Sequence, residues 1–184
     1  DHLRSSDRGT GATTGTRFVT APELAASLRD VSVTYGSPDH PVDALRNVNL
    51  DVLAGESLAI VGRSGSGKST VISVLGLLRT PTSGTVHIGD TDTDDLDEPG
   101  RARLRGSRIG MVFQSFHLER SLTLIENVAL PATFSPKALS PRSARRRALE
   151  AMEQMGVADL ATRRPSEVSG GQRQRAAIAR ALFA

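Results

Sequence analysis

GRSGSGKST, residues 62–70, decides how this 184-residue sequence is read. Its first eight residues satisfy G-x-x-x-x-G-K-[ST], and each position answers a physical need. Gly62, Gly65 and Gly67 let the backbone turn where a Cβ would clash. Successive N–H groups, those of Ser64 and Ser66 among them, then converge on phosphate oxygens. The apolar run ESLAIVG (56–62) before the loop predicts a buried strand. GKSTVISVLGLL (67–78) after it predicts a helix whose positive end faces the same anion. Lys68 brings a flexible point charge to the phosphates, Ser69 offers a hydroxyl to Mg²⁺, and Thr70 follows in the first helical turn. Of the 23 basic residues 21 are Arg and two are Lys, Lys68 and Lys137. A rare lysine thus stands where a compact charge suits phosphate better than a planar guanidinium.

The composition narrows what surrounds this loop. With 38% hydrophobic residues and no tryptophan, the core is aliphatic. Without cysteine, disulfides and Cys-based zinc sites are excluded, and a reducing compartment fits. A net charge of +3 argues against an extended nucleic-acid surface. The longest apolar stretch, VISVLGLL (71–78), would reach about 12 Å as a helix, against about 30 Å of hydrocarbon, so no transmembrane segment is expected. The start, DHLRSSDRGT, lacks the apolar region of a signal peptide, and residues 1–26 read as a disordered tail.

Beyond the tail, SLRDVSVTY (27–35) and LRNVNLDVL (45–53) read as strands joined by the turn-rich YGSPDHP. GTVHIGD (84–90) is a short alternating strand and RIGMVFQ (108–114) a second buried one. TDTDDLDEPGRARLRGSR between them reads as charged surface. Residues 121–131, 141–155 and 170–184 are helical, with Ser140 as a cap and Pro141 in the first turn of the second. Strands alternating with helices predict an α/β domain. The expected division is a nucleotide-binding core over 27–114, a helical subdomain over 115–168, and a final motif and helix over 169–184.

A second motif, VSGGQRQR (168–175), again sets a hydroxyl and bare backbone N–H groups at a positive helix end. Two such anion cradles, about a hundred residues apart, rarely serve one phosphate tail within one subunit. The expected arrangement is in trans, between two copies. With both motifs in place, the sequence from about residue 28 to 184 resembles the ATP-binding subunit of ATP-binding cassette (ABC) transporters, and VSGGQ looks like that family's LSGGQ signature. The resemblance implies a P-loop NTPase core with a mostly parallel sheet, a small antiparallel β region and a helical subdomain. It implies ATP and Mg²⁺ as ligands. Tyr35, in VTYG, matches the aromatic that stacks on adenine. Gln114, in VFQS, matches the glutamine that touches Mg²⁺ and the attacking water. Lys68 and Gln114 are then the catalytic candidates, and Ser69 and Gln114 the metal ligands. Ser169, Gly170, Gly171 and Gln172 would bind the nucleotide held by the other copy. The implied assembly is a homodimer on a separate integral-membrane permease, cytoplasmic and peripheral to the inner face of the plasma membrane, with no direct nucleic-acid role. Residues 113–131 and 33–52 resemble most the subgroup of lipoprotein-release, macrolide-export and cell-division-type permeases. Arg63 stands where that subgroup usually has proline, and Glu119-Arg120 where Leu-Pro is commoner.

The resemblance also implies an apolar strand ending in Asp-Glu beyond the signature helix, then a dimer-contact loop and a switch histidine. The sequence ends at Ala184 before any of them. The expectation is therefore a nucleotide-binding unit incomplete at its C-terminus, whose phosphate-loop strand exposes an apolar edge. DTDTDDLD (90–97) is the one dense carboxylate cluster and reads as a solvated loop: as a calcium loop it would need Gly where Asp95 stands and Glu where Arg101 stands. None of the histidines (2, 40, 87 and 117) matches the switch position. The main functional expectation is an ATP-hydrolysing subunit that energises a permease. The alternatives are a nucleotide-binding fragment without hydrolysis and, through RRR (145–147) and RARLRGSR (101–108), an ABC-type protein acting on nucleic acid.

Overall fold

Leu28, Val31 and Val33 are all fully buried in one core, although their spacing breaks strand alternation. A computed structural model describing residues 23–134 and 139–183 shows how. Strand β1 (Leu24–Tyr35) pairs antiparallel with β2 (Val42–Leu53), and Leu28 faces Leu50 while Val31 faces Val48. β1 therefore uses three residues where β2 uses two, which is a β-bulge. Asp30 sits in it at φ 50°. The Asn49 side chain accepts from the Asp30 N–H and donates to its carboxylate, both at 3.0 Å. The extra residue returns Val31 and Val33 to the face of Leu28. On its other edge β1 pairs antiparallel with β3 (Ser83–Ile88), and β3 with the short β4 (Thr91–Asp92), giving the order β2-β1-β3-β4. Helix α1 (Lys68–Leu75) lays Val71 and Val74 on this sheet, where Leu45, Leu77, Val86 and Ile88 complete the cluster.

The parallel strands depart from expectation. Residues 56–63 and 109–113 carry no regular secondary structure, and every ladder among the described residues is antiparallel. A strand exists only through its neighbour's hydrogen bonds, and neither apolar run has one. Leu58 and Val61 of the first run remain 43% and 86% exposed, and Val112 of the second 46%.

A helix forms where charged surface was expected. Asp97 accepts from the Gly100 N–H at 2.8 Å and starts α2 (Glu98–Arg108), with a proline in its first turn. Glu98 at the start and Arg105 and Arg108 in the last turn complement the helix dipole. Arg101 is buried and Arg105 donates to the Leu77 carbonyl at 2.8 Å, so part of the RARLRGSR run faces inward.

The second core joins α3 (Leu124–Ala129), α4 (Pro141–Gln154) and α5 (Gly170–Phe183). Ala144, Ala148 and Ala151 share one face of α4 and a cluster with Ala176 and Ala179 of α5, small enough for close approach. Leu124, Val128, Met152 and Phe183 fill the remainder. The final helix thus shares a core with the 115–168 block. Residues 1–22 of the expected tail lie outside the described residues, and Leu24–Ala26, assigned to that tail, belong to β1.

α3 begins in a capping box. Thr123 Oγ1 accepts from the Glu126 N–H at 3.4 Å, and the Glu126 carboxylate accepts from the Thr123 N–H at 2.7 Å and hydroxyl at 2.6 Å. The Thr123 hydroxyl first, then its N–H, hold the Glu126 carboxyl below the usual carboxylate range. A lowered pKa stabilises the fold fully above that range, and the contribution is lost as pH falls through the lowered value. The denaturant midpoint is expected to fall on acidification less steeply in Glu126→Gln than in the parent. Equal slopes in parallel urea titrations would remove the cap from the acid response.

Candidate functional site

Gly67 caps α1 at φ 87° and ψ 0°, a left-handed conformation. A Cβ there would stand 2.6 Å from the Ala44 carbonyl oxygen and 2.8 Å from a Leu45 methyl of β2, so both angle and space demand glycine. Gly65, at φ 79°, has open space around it, and only its backbone angle demands glycine. The Lys68 side chain folds back across the loop. Its Nζ donates to the carbonyls of Gly62 at 2.9 Å and Arg63 at 2.6 Å, and lies 3.5 Å from Ser66 Oγ. Ser64 is on the exposed turn, Ser69 is exposed, and Thr70 is half-buried in the first turn of α1. Residues 62–70 thus form one continuous open cradle. An anion arriving there meets an ammonium and the free N–H groups of a helix start together.

Tyr35 ends β1 opposite Val42, 38% exposed. The Arg79 guanidinium carbon lies 4.4 Å from its ring centroid, and Arg79 Nη2 donates to the Thr34 carbonyl at 3.3 Å. Gln114 is exposed on a turn just past the 109–113 run. The backbone after it is strained: Phe116 and His117 have φ of 61° and 45°. From α5, Arg180 donates to both of their carbonyls, at 2.8 and 2.6 Å. Half-burial disfavours its charge and lowers its pKa. The loop after Gln114 is therefore tied to the final helix by one side chain. Arg79 and Arg180 escaped the sequence reading; for Arg180 the signal was a cation inside the apolar run AAIARALF.

Ser169 and Gln172 form a second capping box. Ser169 Oγ accepts from the Gln172 N–H at 3.3 Å, and Gln172 Oε1 accepts from the Ser169 N–H at 2.8 Å. Gly170 and Gly171 are exposed, neither has positive φ, and a Cβ on either would meet nothing nearer than an Arg173 or Arg175 nitrogen at 3.9 Å. The local fold does not need these glycines. What they provide is a bare helix start that another surface can approach closely. The two cradles stand on different cores: the phosphate loop on the sheet, the signature on the α3–α4–α5 cluster.

Among the described residues no group of three or more His, Cys, Asp and Glu side chains stands together as a metal site. Ser69 and Gln114 offer two neutral oxygens at exposed positions. That donor set fits Mg²⁺ carried in by phosphate oxygens and water, not a cation held by protein alone.

The sequence profile of the ABC transporter family matches residues 45–184. The chain belongs to the ABC transporter family. This ABC transporter chain is 44% identical over 165 residues to the pyoverdine export ATP-binding/permease protein PvdT of Pseudomonas aeruginosa, covering 89% of the chain and 25% of PvdT. It is 44% identical over 157 residues to the uncharacterized ABC transporter ATP-binding protein MJ0796 of Methanocaldococcus jannaschii, covering 84% of the chain and 67% of that protein. The macrolide export ATP-binding/permease protein MacB of Burkholderia thailandensis is 44% identical over 161 residues, covering 88% of the chain and 24% of MacB. The chain thus spans about a quarter of PvdT and MacB. The dimeric structure of a post-hydrolysis state of the cassette MJ0796, bound to ADP and Pi, matches with a TM-score of 0.79 at 43% identity, covering 86% of this chain and 69% of that one. The α/β, P-loop cassette fold is thereby established. No helix among the described residues is long and apolar enough to cross a membrane.

Proposed function

We propose that this ABC transporter chain binds ATP with Mg²⁺ and, within the full-length protein, hydrolyses it to drive a membrane permease. The observation that carries the reading is the Lys68 ammonium folded over a left-handed glycine loop at the start of α1. Lys68 would neutralise the terminal phosphates. Ser69 and Gln114 would hold Mg²⁺, which supplies a counter-charge for phosphoryl transfer. Gln114 would orient the attacking water, and Tyr35 would stack on adenine. Ser169, Gly170, Gly171 and Gln172 would close over the nucleotide of a second copy, making a homodimer with two equivalent composite sites. In this reading 27–114 is the nucleotide-binding core, 115–168 the helical subdomain and 169–184 the signature segment. The work is done at the cytoplasmic face of a membrane, with the permease on a separate chain. PvdT and MacB are named for both parts in one protein, so a permease region on this protein's own polypeptide is the finding that would replace the separate chain.

Several arginines of the two runs are taken up by contacts within the fold, which weighs against a nucleic-acid role. Arg146 lies 3.8 Å from Glu150, and Arg147 donates to the Phe183 carbonyl at 3.1 Å while covering that ring. Arg101 is buried, and Arg105 donates to the Leu77 carbonyl. Phosphate release by the full-length protein, measured against a Lys68→Ala control, tests the proposal. Tight ATP binding with no release above that control would leave a nucleotide-binding module without hydrolysis.

A further inference from the structure

Tyr35 is the sole tyrosine of the sequence, and one face of its ring is already occupied. The Arg79 guanidinium lies 4.4 Å from the ring centroid, within the range of cation–π attraction. One guanidinium nitrogen is anchored on the Thr34 carbonyl at 3.3 Å, next to the tyrosine it covers. Its Nε is buried without a hydrogen-bond partner, so the group is placed by the ring and that carbonyl. The backbone delivers it there deliberately close: the Arg79 N–H donates to the Ser73 carbonyl of α1 at 3.1 Å, and Leu77 in the connecting turn adopts φ 54°. α1 therefore carries the phosphate loop at its first residue and the support of Tyr35 just past its last.

We propose that Arg79 is a positioning residue for the nucleotide base, holding the Tyr35 ring from behind so that a purine stacks on the free face. This rests on the reading of Tyr35 as the base platform and goes beyond it. A ring gripped on one side loses less rotamer freedom when a ligand arrives on the other. The cation also draws π-electron density toward itself, which leaves the opposite face better suited to an electron-rich purine. Because the support and the phosphate cradle share α1, the distance between base platform and phosphate site is set by one rigid element.

The test compares MgATP with inorganic tripolyphosphate, which has the phosphates and no base, by titration calorimetry on Arg79→Met, Arg79→Lys and Tyr35→Ala. Within these 184 residues, which have no tryptophan, tyrosine emission reads position 35 alone. Arg79→Met is expected to weaken MgATP about three- to tenfold while leaving tripolyphosphate unchanged, and to reduce the quenching of tyrosine emission at saturating ATP. Arg79→Lys, which keeps the charge, is expected to recover part of the loss. Unchanged tripolyphosphate binding shows that the loop remains folded. Equal losses for both ligands would overturn the proposal, since Arg79 would then act on the loop. Loss of ATP affinity in Tyr35→Ala without loss in Arg79→Met would also overturn it, with Tyr35 still the platform. If Tyr35→Ala itself binds ATP normally, the platform reading fails and takes this inference with it.

Discussion

Lys68→Ala is expected to weaken MgATP binding by about ten- to a hundredfold and to lower hydrolysis by the full-length protein by about 10²–10³. The substitution acts twice. It removes the one positive side chain folded over the cradle, and it releases the carbonyls of Gly62 and Arg63, which the ammonium holds at 2.9 and 2.6 Å. Lys68→Arg is not expected to restore function, because a planar fork cannot aim three donors inward from the same stem. The helix itself is expected to survive: its first bond, from the Val71 N–H to the Gly67 carbonyl at 2.9 Å, does not use the side chain. Calorimetric titration reads the first effect and phosphate release the second. Parental affinity in Lys68→Ala, with an unchanged far-ultraviolet spectrum, would take this residue out of the site.

Gly171→Glu is expected to abolish hydrolysis while sparing ATP binding by a single subunit. A carboxylate in the first turn of α5 favours the helix, so the fold tolerates it, yet it covers the bare helix start with negative charge. A Cβ at position 171 would meet nothing nearer than an Arg175 nitrogen at 3.9 Å, so the new side chain fits on its own subunit. The decisive experiment mixes the two inactive proteins, Lys68→Ala and Gly171→Glu. In a trans arrangement each mixed dimer has one site with both lesions and one with neither. Roughly half the dimers are mixed and half their sites are whole, so about a quarter of parental turnover is expected to return. If loop and signature served one nucleotide within a subunit, every site would carry a lesion and mixing would recover nothing.

The phosphate cradle was legible because its chemistry is local. Gly67 needs its left-handed angle, Lys68 follows it, and the helix comes next in the chain, so a nine-residue window contains the whole device. The signature start was legible for the same reason, and the structure adds a capping box between Ser169 and Gln172 at the third helical position. The α2 helix is equally local but is hidden by its charge, because Asp97 and the proline after Glu98, a helix entrance, lie in a run whose composition reads as charged surface. The bulge at Asp30 was beyond reach: its left-handed angle is held by Asn49, nineteen positions away on another strand. Arg79 and Arg180 were hidden in the same way, since each acts on a backbone carbonyl or ring far along the chain.

The order of residues alone therefore determined the two glycine-bearing helix starts, the helices that follow them and the family to which the chain belongs, because short-range angles, caps and spacings decide those. Tertiary structure decided the rest. It made the sheet of the described residues antiparallel, since a strand takes its pairing from its neighbour and not from its own composition. It put the signature helix into the α3–α4 core and the phosphate loop against β2, where small alanine faces and the bare Gly67 allow a close approach. And it set Arg79 behind Tyr35 and Arg180 beneath the Phe116–His117 turn, contacts that arise only once distant segments are brought within a few ångströms of one another.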